Sequence, residues 1–306
     1  MERQITVVTV GCGSARVAIA LVGIVIMGVL FSGCSMRKLM IGEMAKVMED
    51  GFPTYIRETD PILVRDAMAP NLKLIEALLE NDPENERLLL LACQGFASHA
   101  FMFVETEDPQ RARLLYMRAR KYGYALLEQR GLIPDAVYEL SAWDKALARA
   151  RKKDVPAIFW TAFAWGGQIQ LDRESPVALA DLPIVIRLVE QAATLDRQYW
   201  FAGPDTFLGF YNGSVPVPLG GRADKSRAHF EDALEITERR SLMVQVLYAR
   251  SYCVQVQDRK LYNALVREVM DADLAKCPPD TALSNAVAQR KAGELERAAD
   301  DLFAGE

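Results

Sequence analysis

The stretch AGPDTFLGFYNGSVPVPLGGRADKSRAHFEDAL, residues 202–234, decides how the chain is read. Its C-terminal half carries Ser226, Phe230 and Ala233. Residues three and four apart share one face of a helix. A small residue, an aromatic and an Ala at this spacing form the pattern of the second helix of a tetratricopeptide repeat. The small residues let a neighbouring helix approach, and the aromatic fills the space between. The preceding residues are rich in Gly, Pro and aromatics and predict a long loop over 209–221. Connections between helices usually run only a few residues, so this loop is a candidate for function.

Working outward, Ala112, Tyr116 and Ala119 repeat the triplet, and Val185, Val189 and Ala192 keep its spacing. Asp60, Asp82, Asp108 and Ser175 each stand before a proline. A side-chain oxygen there accepts from an orphan backbone N–H, and Pro suits the first helical position, where an N–H would be unpaired. Together these signals predict helices over 83–104, 109–130, 134–153, 155–171, 182–196, 242–257, 258–273 and 280–303. Sustained period-two alternation is missing, which argues against strands. The expected fold is all-α: a solenoid of tetratricopeptide-like helix pairs with a C-terminal capping helix.

The N-terminus reads differently. Residues 17–31 are uninterrupted apolar, with Arg3 and Arg16 before them. Such a run suits a signal-peptide core and is short for a membrane span. It ends in Leu30-Phe31-Ser32-Gly33-Cys34, which resembles a bacterial lipobox with Phe31 in place of the usual Leu. The lipobox implies a signal peptide over 1–33, cleavage before Cys34 and lipidation of Cys34. An uncleaved N-terminal anchor and a simple signal peptide are the competing readings. Residues 34–60 would form a tether, with a short helix over 36–48, and 61–304 the repeat domain. Ser35, where Asp would imply inner-membrane retention, points to the outer membrane.

Composition narrows the chemistry. Net charge is −5, from 36 basic and 41 acidic residues, with no basic run interleaved with aromatics, so no nucleic-acid partner is expected. Cys93, Cys253 and Cys277 lack CxxC spacing, so no disulfide scaffold is expected. Cys93 and Cys253 read as buried thiols, with a disulfide between two of the three as the alternative. The histidines are His99 and His229 alone. No metal site, cofactor or catalytic residue follows from such a sequence, which also lacks HExxH, Walker and GxSxG motifs. His229 reads as part of a solvated face and His99 as a satisfied packing residue. Gly166-Gly167 reads as a helix interruption or a close-packing site.

Aromatics carry the strongest binding signal. Phe159, Trp160, Phe163 and Trp165 cluster on one predicted helix, and Tyr199, Trp200, Phe201, Phe207, Phe210 and Tyr211 around the long loop. Tryptophan joins a large apolar area to one N–H donor, which suits pockets and interfaces. The candidate ligand or partner residues are Trp160, Trp165, Tyr199, Trp200, Phe207, Phe210 and Tyr211. In the competing reading these rings plug the core between repeats. Core packing is the preferred reading for Phe159, Phe163 and Phe207, and for Tyr116, Phe230 and Tyr252.

Longer segments resemble a known family. They are AIFWTAFAWG at 157–166, DLPIVIRLVEQAATLD at 181–196, GPDTFLGFY and PLGGRADKSRAHFEDAL within 203–234, LYARSYCVQVQDRKLYNALVREVMDAD at 247–273 and LSNAVAQRKAGELERAADDLF at 283–303. Over residues 40–304 the chain resembles the T component (TatT family) of TRAP transporters, the tripartite ATP-independent periplasmic transporters. The resemblance implies a non-enzymatic, lipid-anchored protein on the periplasmic side of a bacterial membrane. It implies self-association, as trimers around a central opening, and association with the transporter's solute-binding protein. It also implies a hydrophobic small molecule, an organic acid or lipid-like compound, as ligand. A repeat scaffold for cell-envelope assembly and a lipid- or acid-modifying enzyme are the rival expectations.

Overall fold

The structure is a computed structural model describing residues 36–215 and 221–303. It divides into two units, Met1–Val47 and Met48–Glu306. In the first, residues 36–47 are helical. The predicted signal peptide, Cys34 and Ser35 lie outside the described residues.

In the second unit every regular element among the described residues is helical, and no strand occurs among them. After a single turn at Pro53–Ile56, the helices are α1 (Pro61–Leu79), α2 (Glu86–His99), α3 (Pro109–Gln129), α4 (Leu140–Leu147), α5 (Val155–Gln170) and α6 (Pro176–Ala180). They continue as α7 (Leu182–Leu195), α8 (Tyr199–Ser214), α9 (Ala223–Ile236), α10 (Met243–Tyr248), α11 (Arg259–Met270) and α12 (Ala282–Leu302). Successive long helices pack on one another, with the short α4 and α6 passed over: α1 on α2, α2 on α3, α3 on α5, α5 on α7, α7 on α8 and α8 on α9. Helix α8 also packs on α10, which continues the order through α11 to α12.

The predicted caps hold at three starts. Asp60 accepts from the Ile62 and Leu63 amides, Asp108 from Arg111 and Ser175 from Ala178. Asp82 does not cap, because α2 begins at Glu86 with Asn85 accepting from the Leu88 amide. Asp82 instead accepts from the Asn85 side-chain amide at 3.0 Å, which fixes the capping residue. The helix expected over 134–153 shortens to α4. The indole N–H of buried Trp143 donates to the Val137 carbonyl at 2.9 Å, holding 134–139 in turns.

The triplets lie in the core: Ala112, Tyr116 and Ala119, then Val185, Val189 and Ala192, then Ser226, Phe230 and Ala233 are all buried. Glu86–Val104 is long and apolar enough to cross a membrane, yet it is a mostly buried helix of this unit. Cys93, Cys253 and Cys277 are free thiols, the first two buried. Burial pushes the Cys93 thiol up to about 12.

Two features depart from the expected regular helices. Helix α2 runs on as π-helix through Ala100–Val104, and α10 runs on as π-helix through Ala249–Cys253. The long loop is the other departure, since α8 extends to Ser214 and places Phe210 and Tyr211 on a helix. Trp200, Phe201 and Ala202 take left-handed backbone angles at its start. Pro204 therefore falls where a right-handed helix begins and is tolerated there. Gly213 is a packing position, where a Cβ would come within 2.8 Å of the Tyr252 amide nitrogen and 2.6 Å of Ser226 Oγ.

Candidate functional site

Helices α5 and α8 lie side by side and run in the same direction. Trp160 meets Trp200 with ring centroids 5.0 Å apart, and a Cβ on Gly166 would sit 2.5 Å from the Phe207 ring. Beyond α5, Arg173 reaches the Ser214 carbonyl at the end of α8. The two helices wall a cavity of about 970 Å³, within the size range of small-molecule sites. Other walls come from Val64, Met68 and Leu72 of α1, from Phe101 and Met102 of the first π-segment, and from Leu283 of α12.

Trp160, Trp200, Phe207, Phe210 and Tyr211 line this cavity, whereas Trp165 and Tyr199 do not. Trp165 is buried, its N–H on Asp181 at 3.0 Å and the Arg120 guanidinium 3.6 Å over its ring. The Tyr199 hydroxyl accepts the Trp160 N–H at 3.0 Å. That bond consumes the only donor of Trp160 and leaves its ring as apolar wall. Phe159 and Phe163, assigned to core from sequence, also line the cavity, as does Tyr116. Core and cavity wall are the same surface here, because Tyr116 and Phe159 are buried by their neighbours and still border the space.

At one end the cavity turns polar. Glu105 accepts from the Tyr116 hydroxyl at 2.7 Å and from Arg250 at 3.1 Å. Burial and then the Glu105 charge push the Tyr116 hydroxyl well above its ordinary value. Glu105 follows the first π-segment and Arg250 lies within the second, so the ion pair joins both irregular turns. π-Turns are frequent at functional sites. The sequence reading missed Glu105, Arg173 and Arg250, of which only Arg250 lies within a segment shared with the family.

At the other end the left-handed turn is pinned. For non-glycine residues this conformation costs roughly 1–2 kcal/mol each, and it persists only where the surroundings impose it. Arg197, before the turn, forks onto Asp205, after it, at 2.9 and 2.8 Å, and also reaches Asp232 of α9 at 2.6 Å. His229 Nδ1 shares a hydrogen bond with Asp205 at 2.9 Å. His229 is thus no solvated-face residue: packing of α9 on α8 brings it onto a carboxylate only 1% exposed. Burial would raise the Asp205 pKa, but His229 and Arg197 outweigh it and hold the carboxyl below its ordinary value. His99 packs 5.8 Å from Phe103 with its Nδ1 unpaired rather than satisfied. Burial and the Arg111 and Arg65 charges lower its pKa and keep the ring neutral.

An apolar wall of this size with a few charged groups on it can hold a hydrophobic body and orient a polar head. Among the described residues no group of three or more His, Cys, Asp or Glu could hold a metal ion. Comparison with curated proteins finds no match. The family model for the TRAP transporter T-component matches residues 57–303, nearly the whole second unit, and the chain belongs to that family.

Proposed function

We propose that this TRAP transporter accessory component holds a hydrophobic small molecule in the cavity between α5 and α8 and docks the transporter's solute-binding protein. The observation that carries the ligand role is the cavity itself, about 970 Å³ and walled by Trp160, Trp200, Phe207, Phe210 and Tyr211. Family membership supports the docking role, for a T component works with the other transporter subunits. Lipidation at Cys34 anchors the chain on the periplasmic side of a bacterial membrane, the outer one by the Ser35 signal. The buried triplets on α3, α7 and α9 support a solenoid of tetratricopeptide-like pairs closed by α12. Self-association as a trimer belongs to the same proposal.

Capture from cells tests it. Tagged chain at native abundance is expected to bring down the solute-binding protein of a TRAP transporter. Repeated capture without that protein would remove the docking role.

A further inference from the structure

The charged groups that line the cavity are not all paired. Its charged lining residues are Glu105, Arg173, Arg250 and Asp280. Glu105 pairs with Arg250 at 3.1 Å, and Asp280 with Arg57 at 2.6 Å. Arg173 has no carboxylate partner among the described residues. It donates to Gln170 Oε1 and, at 3.3 Å, to the Ser214 carbonyl. Both acceptors are neutral. Burial and then the charge of Arg250 lower the Arg173 pKa, as expected for a guanidinium facing another cation.

A further cation stands beside the cavity. Lys291 is only 4% exposed, and its ammonium stands 5.2 Å over the ring of Phe101, which lines the cavity. No ion pair holds it among the described residues; Glu105 and Glu294 favour its charge, and Arg250 and Arg290 oppose it. Of the two carboxylates, Glu105 is already paired with Arg250. A buried ammonium such as Lys291 without an ion pair is unfavourable, and exposed Arg173 offers a guanidinium fork, which binds a planar carboxylate best.

We infer that this end is an anion site anchored by Arg173, and that the ligand is a long-chain monocarboxylate. Its head lies on the Arg173 guanidinium and its apolar body runs along α5 and α8 towards Trp160 and Trp200. The assignment rests on the ligand-holding role proposed above. Chain length follows from the helix: from Trp160 to Arg173 the wall advances about 15–20 Å at 1.5 Å per residue. A short acid would reach Arg173 and leave the aromatic end empty.

Calorimetric titration of the purified full chain with dodecanoate, dodecanol and acetate tests this. Dodecanoate is expected to bind at least about tenfold more tightly than dodecanol, with acetate undetected. Arg173→Gln should lower dodecanoate affinity about tenfold and leave dodecanol unchanged, with Arg173→Lys retaining part of the preference. Circular dichroism establishes that each variant folds. Equal affinity for dodecanoate and dodecanol in the unmodified chain overturns the anion site but leaves a hydrophobic cavity. Tight acetate binding overturns the long chain. Failure of both long-chain probes overturns the ligand role itself, and the anion site with it.

Discussion

Asp205 receives three hydrogen bonds from Arg197 and His229 while almost wholly removed from water. Its ionised form is therefore favoured in the folded chain. With the folded pKa depressed, its contribution is complete above the unfolded value of 3.8 and is lost as pH falls through the lower folded pKa. Urea unfolding should show stability declining in that acid range, and Asp205→Asn should flatten the decline. Arg197→Ala leaves a buried carboxylate with His229 alone. It should reduce stability by roughly 2–3 kcal/mol, below the value for a fully buried pair because Arg197 is half exposed. A similar loss at every pH would assign Asp205 a packing role in place of an electrostatic one. Among the rings, Trp200→Ala and Tyr211→Ala should weaken binding of a hydrophobic probe and keep the helical circular dichroism signal. Loss of that signal in both variants would return these rings to the core. His229 was misread from sequence because Asp205 stands on another helix, and only the packing of α9 on α8 joins them.

Helix starts were legible because a cap is local: Asp108 and the amide it accepts from are three residues apart. Asp108→Ala should lower the melting temperature by the equivalent of about 1 kcal/mol, and no change would mean that water replaces the cap. Helix contacts are stiffer. Gly213→Ala sets a methyl against the Tyr252 backbone, which cannot rotate away as a side chain would. A loss of about 1–3 kcal/mol is expected in denaturant titration, and a neutral result would show that α8 can shift away. The π-segments were illegible, since one extra residue per turn leaves the apolar pattern of a short helix almost unchanged. Phe207, Phe210 and Tyr211 were recognised by composition but partly misplaced on a loop. The glycines and Pro204 that suggested a loop serve close packing and a helix start.

For the whole molecule, the N-terminal reading leads to a covalent prediction. Mass spectrometry of the protein from its native membrane should find a chain beginning at acylated Cys34. An intact 1–33 segment would reject lipidation at that residue. The sequence by itself determined that the chain is helical, where several caps lie and which family it joins, because helix periodicity, capping and family motifs are carried by residues close together in the chain. The tertiary structure alone decided which rings border the cavity: Trp160 does and Trp165 does not, though both stand on α5. It alone decided that Arg250 finds Glu105 while Arg173 finds no carboxylate among the described residues. Those outcomes depend on contacts between distant segments, and no local spacing encodes which side chain meets which across the packed helices.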